Sequence, residues 1–248
     1  MPRRGDSVRS LARALAQQAE GWQAWGVQGA PTSRGPSGAD ERIDAAAPPI
    51  AGPARTGPAR SLAELEQEVI ACRACPLYRT RTHHVFSDGD PHARLVFVGE
   101  APGRQEDLEG KPFVGAAGQL LTKMIEAIGL RREQVYICNV LKDRPPENRT
   151  PLPEEVEACR PYLLRQLELI GPKVICVLGA VAAKALLGPE TSITKVRGRP
   201  HEFLGAVLIP TFHPAYLLRN PPAKKFAWQD LKKVKKLLNA ECGVRNAE

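Results

Sequence analysis

The chain has 248 residues, of which 43% are hydrophobic, enough to bury at least one sizeable core. Lys and Arg number 35 against 27 Asp and Glu, and the net charge of +8 suits a polyanionic partner as well as a basic, solvated surface. The sequence contains neither an apolar run of about 18 residues nor the pattern of a secretory signal. We therefore expect a cytoplasmic protein that does not associate with a membrane.

The six cysteines bear on cofactor chemistry, because a chain without an export signal is not expected to carry a disulfide framework. Cys176 lies in an apolar run, where a thiol behaves as a small hydrophobe, and Cys242 lies in a polar tail. Cys72 and Cys75 form a Cys-x-x-Cys pair, a spacing typical of metal sites.

The chain divides into an N-terminal extension, one domain and a short tail. Residues 7–25 carry apolar side chains at helical spacing, which predicts a short amphipathic helix that docks a protein partner or the main domain. Residues 26–60 are rich in Gly, Pro, Ala, Ser and Arg without an apolar period, a composition typical of a flexible linker. We expect residues 61–240 to form the folded domain and residues 241–248 the tail.

The domain alternates between strand-like and helix-like segments. Short runs rich in Val and Ile, bounded by Gly, Pro or charge, predict buried strands at 95–98, 135–140, 174–178 and 207–212. Helical spacing of apolar residues predicts helices at 118–128, 153–170, 180–187 and 224–238. This alternation favours an α/β fold, a parallel sheet covered by helices on both faces, with ligands bound beyond the carboxyl ends of the strands.

Two glycine-rich loops follow the first predicted strand. The loop over 99–107 places carboxylates and backbone N–H groups at the end of that strand, although an ordinary strand-to-helix connection has the same composition. The next loop holds Phe113 beside Gly115, where its ring can lie against a nucleic-acid base or pack into the core.

A third motif, over 211–221, follows the last predicted strand with a histidine, a Pro-stiffened turn, two leucines and an arginine. A single His such as His213 at a strand end is usually a satisfied polar group. Here Leu217 and Leu218 form an apolar wedge, with Arg219 behind it to bind phosphate. This combination is one that proteins use to push a base out of a duplex.

The order of these motifs resembles that of the family 4 uracil-DNA glycosylases, the iron-sulfur type. The resemblance runs from about residue 65 to residue 238 and is carried by the Gly99-Glu100-Ala101-Pro102-Gly103 turn, the Phe113-Val114-Gly115 loop, Asn139 at a strand end and the His213-Pro214-Ala215-Tyr216-Leu217-Leu218-Arg219 segment. It implies a three-layer α/β/α sandwich around a central four-stranded parallel sheet. It also implies excision of uracil, with uracil-containing DNA as the partner of a monomeric enzyme.

The same resemblance implies roles for individual residues. Phe113 would stack on the flipped uracil, Asn139 would read its O4 and N3–H edge, and His213 would hydrogen-bond its O2. Gly99 and Ala101 would also contact the base. Leu217 or Leu218, and Arg219, would contact the DNA.

The residue that positions the attacking water is left open. In the best-known uracil glycosylases an Asp in the first motif has this role, whereas Ala101 occupies that position here. The resemblance implies that Glu100, Glu106 and Asn148 help to position water or substrate. Most of the barrier reduction would come from electrostatic stabilisation of the departing uracil anion.

The resemblance further implies a four-iron, four-sulfur (4Fe-4S) cluster, held by Cys72, Cys75, Cys159 and one more cysteine. The remaining position is occupied by Asp143, in a Lys-Asp-Arg-Pro-Pro segment. Either Asp143 ligates through oxygen, or the cluster is altered or labile, or Cys138 substitutes. We favour the first two, because strand alternation points Cys138 into the packing.

Two other functions fit the same motifs. One is a protein of the same superfamily that binds uracil-DNA without turnover or traps it covalently through a histidine. The segment over 142–150 is short and contains no His, which argues against covalent trapping. The other is a structural or replication-associated metal module, which would require Asn139 and His213 to be packing residues.

Overall fold

The computed structural model describes residues 61–240 and the backbone of a two-residue strand at 44–45. The amphipathic helix predicted at 7–25 and the tail at 241–248 lie outside the described residues, as does most of the linker predicted at 26–60. Among the described residues, no helix is long and apolar enough to cross a membrane.

One mixed sheet forms the centre of the domain. Its strands are β1 (Asp44–Ala45), β2 (Asp88–Gly89), β3 (Leu95–Gly99), β4 (Tyr136–Asn139), β5 (Val174–Leu178), β6 (His201–Phe203) and β7 (Ala206–Thr211), in the order β1-β6-β7-β5-β3-β4-β2. The four central strands β7, β5, β3 and β4 run parallel, which confirms the predicted core. The sheet is wider than the four strands predicted, because β2 and β6 add antiparallel strands and β1 pairs with β6 at one edge.

The described α-helices are α1 (Leu62–Ala71), α2 (Arg104–Glu109), α3 (Ala116–Ala127), α4 (Pro153–Ile170), α5 (Ala180–Leu187), α6 (Ile193–Val196), α7 (Pro214–Arg219) and α8 (Lys224–Asn239). The predicted helices correspond to α3, α4, α5 and α8; α4 and α5 have the predicted bounds, and α3 and α8 differ by one or two residues at their ends. Helix α1 was not predicted. It begins with a capping box, in which Ser61 Oγ accepts a hydrogen bond from the backbone N–H of Glu64 at 3.3 Å.

Strand alternation divides the core into two halves, so the fold is the predicted three-layer α/β/α sandwich. One face of the sheet packs against α3 and α8 through a cluster that includes Phe97, Ile137, Met124, Trp228 and Leu231. The other face packs against α4 and α5 through a cluster that includes Val98, Tyr136, Leu163, Val177 and Ala183.

The parallel strands end at the same edge of the sheet, which brings the motif loops together. β3 ends at Gly99, β4 at Asn139 and β7 two residues before His213. Gly179, which follows β5, has φ of +91°, and a Cβ at this position would lie 2.9 Å from the Cβ of His213. Glycine therefore permits both this backbone conformation and the close approach of the two loops.

Candidate active site

A pocket of about 470 Å³ opens at this edge of the sheet. The predicted site residues that line it are Glu100, Ala101, Glu106, Phe113, Asn139, Asn148, His213 and Arg219. Gly99 packs against two of them, since a Cβ at this position would collide with the Asn139 amide and lie 2.5 Å from the Phe113 ring. The structure therefore brings together the residues that the motif order had placed in one site.

Asn139 presents an almost completely buried amide to this pocket. Its Oδ1 has no hydrogen-bond partner in the part of the chain that the structure describes. Leaving a buried carbonyl unpaired costs about 1–3 kcal/mol, which a ligand that supplies a donor would recover. The site therefore contains an unpaired hydrogen-bond acceptor at the position where the edge of a base is expected.

Phe113 closes one wall of the pocket in an unusual backbone conformation. Its φ is +55°, in the left-handed region that residues other than glycine rarely adopt. Gly118 makes room for it, because a Cβ there would collide with the Phe113 main chain. The ring centroids of Phe113 and His213 are 5.6 Å apart. Such strain persists only where the surroundings impose it, and it is frequent at ligand sites.

Glu106 imposes part of that conformation. Its Oε1 accepts hydrogen bonds from the backbone N–H groups of Val114 at 3.0 Å and Gly115 at 2.9 Å. Its Oε2 accepts another from Gly103 at 3.1 Å. These bonds tie the first motif to the Phe113 loop, a role that the sequence did not reveal.

We expect Glu106→Ala to lower the free energy of unfolding by about 2 kcal/mol, because three partly buried N–H groups lose their acceptor. Urea denaturation measures this loss. The matched control is Glu109→Ala on the same helix, where the exposed carboxylate pairs with Gln105 one turn away. Equal destabilisation in the two variants would show that Glu106 does not anchor the loop.

His213 is the N-cap of α7, and its hydrogen bond determines its tautomer. Nδ1 accepts from the backbone N–H of Ala215 at 3.1 Å, so the neutral ring carries its proton on Nε2. Burial and the positive charge of Arg219 lower the pKa of His213 to about 4. At neutral pH the pocket therefore contains an uncharged imidazole with one N–H to donate.

The three candidates for positioning water differ in their partners. Asn148 Oδ1 accepts a hydrogen bond from Nε of Arg144 at 2.6 Å, and Glu106 is engaged as described above. Within the described residues, no donor contacts the carboxylate of Glu100, and burial raises the pKa of Glu100. Glu100 is thus the carboxylate of the first motif that remains available to a ligand or water.

The two leucines of α7 lie in different environments. Leu217 is fully buried in the core beside α8, so of the two predicted leucines it is not the one that reaches the surface. Successive side chains of a helix are rotated by about 100°, and Leu218 accordingly points outward, with 43% of its surface exposed. Arg219 is exposed at the edge of the pocket. Leu218 is therefore the leucine available as a wedge.

Other side chains without a predicted role also line the pocket, among them Tyr216 and Arg149. Tyr216 lies on α7 within the third motif, and 40% of its surface is exposed. Arg149 pairs with the buried Glu155, with Nη2 and Oε1 2.6 Å apart. Tyr216 could have been found from its position three residues after His213, since both then belong to one helical turn.

Cys72, Cys75 and Cys159 line a second, much smaller cavity together with Asp143. Cys72 ends α1, Cys75 precedes a short 3-10 helix and Cys159 lies on α4. A hydrogen bond with Cys159 lowers the pKa of Cys75 to about 7, whereas this bond and burial raise the pKa of Cys159. A thiol that ionises near neutral pH is a suitable metal ligand.

The carboxylate of Asp143 is already paired. Its two oxygens lie 3.0 and 3.2 Å from Nη1 of Arg81, while Nη2 of Arg81 donates to the backbone oxygen of Ile70 at 2.6 Å. Across residues 61–240, no three His, Cys, Asp or Glu side chains converge closely enough to hold a single metal ion. In a polynuclear cluster each protein ligand binds a different metal atom, so the ligands can lie farther apart than those of a single ion. The cavity therefore offers three thiols that suit a sulfur-ligated cluster and a fourth residue held by Arg81.

Cys138 does not contribute to the wall of this cavity. It is completely buried on β4 within the core that faces α4 and α5, and burial raises the pKa of Cys138. Its position agrees with the prediction that strand alternation points it into the packing.

Comparisons with known proteins agree with this geometry. Residues 86–232 match the family model described as the uracil DNA glycosylase superfamily. A type-4 uracil-DNA glycosylase of Thermotoga maritima is 50% identical over 181 residues, which cover 71% of this chain and 94% of that protein. One from Archaeoglobus fulgidus is 49% identical over 193 residues, 75% of this chain and 95% of that protein. A type-5 uracil-DNA glycosylase of Pyrobaculum aerophilum is 32% identical over 147 residues, 52% of this chain and 64% of that protein.

Proposed function

Because this chain belongs to the uracil DNA glycosylase superfamily and, within it, to the type-4 group, we propose that it flips uracil out of DNA and hydrolyses the bond between the base and the deoxyribose. Uracil-containing DNA is then its substrate, and the pocket at the carboxyl edge of the sheet is its active site. The proposed enzyme acts as a monomer in the cytoplasm.

The observation that carries this proposal is the unpaired Oδ1 of Asn139 in the pocket wall. Uracil presents an N3–H donor beside its O4 acceptor, which matches the carbonyl and the amino group of one amide. Cytosine presents a ring-nitrogen acceptor and an exocyclic amine, so both pairings are reversed. A site whose buried polar groups stay unpaired discriminates strongly against the wrong base.

His213 is proposed to stabilise the leaving group. When the glycosidic bond breaks, its electron pair stays with uracil, and part of the negative charge develops on O2. The Nε2–H of a neutral imidazole can donate to that oxygen, as a donor already in place before the reaction. Phe113, whose ring lies beside that of His213, would stack on the base and hold it flat.

Glu100 is proposed to position the water that attacks C1′ of the deoxyribose. Its carboxylate is available within the described residues, and burial raises the pKa of Glu100, which makes it a better acceptor of a proton from water. Glu106 and Asn148 would act indirectly, through the Phe113 loop and Arg144 respectively.

Leu218 and Arg219 are proposed to contact the DNA. The exposed side chain of Leu218 would fill the space that the flipped base leaves, and Arg219 would bind a neighbouring phosphate. The net charge of +8 supports binding to a polyanion, with an affinity that falls as salt rises.

Incubation of the purified protein with a uracil-containing oligonucleotide, followed by hot alkali, tests the proposal. Excision leaves an abasic site that alkali cleaves, so we expect scission at the uracil and none on a matched thymine strand. Retention of the DNA without scission would mean binding without turnover. A protein-DNA adduct that survives denaturation would mean covalent trapping.

We also propose that Cys72, Cys75 and Cys159 hold an iron-sulfur cluster. Bound there, the cluster would cross-link the segment after α1 to α4, and no step of glycosidic cleavage requires its electrons. Asp143 is the weakest of the four ligand positions, because Arg81 already pairs with its carboxylate and a carboxylate oxygen is a harder donor than a thiolate. The cluster is therefore expected to be altered or labile there.

We expect Asp143→Cys to raise the iron bound per protein and to protect that iron from a chelator, because a thiolate replaces a carboxylate that Arg81 engages. Iron and sulfide analysis, with visible and paramagnetic-resonance spectra, measures the change. Asp90→Cys adds a thiol away from the cavity and is the control. A full four-iron cluster in the unaltered protein, indistinguishable from that of the variant, would refute the weakness at Asp143.

Residues 61–240 are proposed to form the catalytic domain on their own. All residues that line the pocket lie within this range, so deletion of residues 1–60 is expected to leave excision of uracil from naked DNA largely unchanged. The deletion also removes β1, whose backbone pairs with β6. Loss of folding or of most activity on truncation would show that the extension belongs to the domain.

A further inference from the structure

Four side chains form a continuous stack beside the pocket, here named the aromatic row: Phe226 on α8, Arg197 after α6, Phe212 after β7 and Tyr216 on α7. The guanidinium carbon of Arg197 lies 5.1 Å from the ring centroid of Phe226 and 5.4 Å from that of Phe212. The ring centroids of Phe212 and Tyr216 are 5.0 Å apart. Tyr216 also lines the pocket, so the aromatic row leads outward from it.

The centre of the aromatic row is held rigidly by Asp230. Its carboxylate accepts two hydrogen bonds from Arg197, at 2.6 Å from Nη2 and 3.1 Å from Nε, and a third from Thr211 at 2.7 Å. Nη2 of Arg197 also donates to the backbone oxygen of Phe226 at 2.6 Å. The spacing of the rings is therefore fixed before any ligand arrives, which lowers the entropic cost of binding.

Both ends of the aromatic row are open to solvent and accompanied by positive charge. Tyr216 is 40% exposed and Phe226 39% exposed, so a face of each ring is accessible to a ligand. Nζ of Lys225 lies 4.9 Å from the Phe226 ring centroid, and Arg219 is exposed beside Tyr216. Exposed rings with cations alongside suit single-stranded nucleic acid, because bases stack on the rings and phosphates lie near the cations.

We propose that the aromatic row is a stacking track for the bases next to the uracil, on the strand that carries it. This inference rests on the proposed function, because the track begins at the pocket that would hold the flipped uracil. Bases on one side of the uracil stack on Tyr216 and Phe226, while Lys225 and Arg219 approach their phosphates. Every base has a π-face, so the track adds affinity without sequence selectivity and favours unpaired DNA.

Phe226→Ala in the full chain tests the track, with Leu204→Ala as the matched control. Leu204 is 50% exposed, but it lies between β6 and β7, at the opposite edge of the sheet from the pocket. Fluorescence anisotropy with a uracil-free single strand of about 15 nucleotides should show roughly tenfold weaker binding by Phe226→Ala. Binding by Leu204→Ala and by Phe226→Tyr, which keeps the ring, should stay as in the unaltered protein.

Excision kinetics separate stacking from a structural role. Phe226→Ala should raise KM for a long single-stranded uracil substrate and leave kcat unchanged. A uracil substrate of about three nucleotides is too short to reach Phe226 and should be processed as by the unaltered protein. Phe226→Leu, which keeps apolar volume without a flat ring, provides the same test if Phe226→Ala fails to fold.

The outcomes distinguish the track from the proposed function. Unchanged affinity of Phe226→Ala for the uracil-free strand, or an equal loss in Leu204→Ala, would overturn the track. If the unaltered protein excised no uracil while Phe226→Ala still lost affinity for the single strand, the proposed function would fail, and the aromatic row would remain a binding surface for single-stranded DNA.

Discussion

Replacing Asn139 with Asp is expected to slow uracil excision roughly 100- to 1000-fold. It should also reduce the ratio between the excision rates of uracil and cytosine. The carboxylate removes the donor that uracil O4 requires. It also supplies an acceptor that the exocyclic amine of cytosine can use. The effect is large because the amide is almost completely buried and water cannot replace the lost partner.

Single-turnover excision rates on matched uracil and cytosine oligonucleotides measure this change. Asn239→Asp makes the same substitution at the exposed end of α8 and should behave as the unaltered protein. Unchanged selectivity in Asn139→Asp would show that another residue reads the base.

His213→Ala is the second substitution with a large expected effect, a fall in kcat of roughly 100- to 1000-fold. The variant loses the N–H that we propose donates to uracil O2 as negative charge develops there. KM should change less than kcat, because this hydrogen bond strengthens in the transition state. His92→Ala, at an exposed site before β3, is the control and should retain full activity.

The pKa of His213 predicts how activity and stability depend on pH. Its value of about 4, below the ordinary 6.5, means that the native ring stays neutral where an unfolded chain binds a proton. Stability linked to this group is therefore complete above pH 6.5 and is lost as the pH falls toward 4. We expect kcat to stay constant as the pH falls through 6.5. A decrease in kcat with an apparent pKa near 6.5, present in the unaltered protein and absent in His213→Ala, would contradict a neutral donor.

The central fold could be predicted because its strands are buried on both faces. Such strands are short runs rich in Val and Ile, which can be recognised from composition. The antiparallel strands β2 and β6 have two and three residues, too few to produce a recognisable alternation. The helices α2 and α7 have six residues each, and glycine and proline motifs obscure their periodicity.

The site could be predicted from its motifs, but the division of roles within it depends on contacts between distant segments. Leu217 and Leu218 are adjacent and chemically identical, and the packing of α7 alone decides which of them is buried. From sequence, Glu106 is a candidate for positioning water, whereas its three backbone donors are visible only in the structure. Asp143 could not be matched with Arg81 from sequence, because 62 positions separate them and either could have been a surface charge.

The most direct test of the central claim is the release of free uracil from a uracil-containing single strand, followed by chromatography. We expect the unaltered protein to release the base, leave an abasic site and turn over repeatedly. Asn139→Asp and His213→Ala should release uracil far more slowly at equal DNA occupancy. Binding of the strand by the unaltered protein without release of uracil would contradict the claim that this pocket cleaves the glycosidic bond.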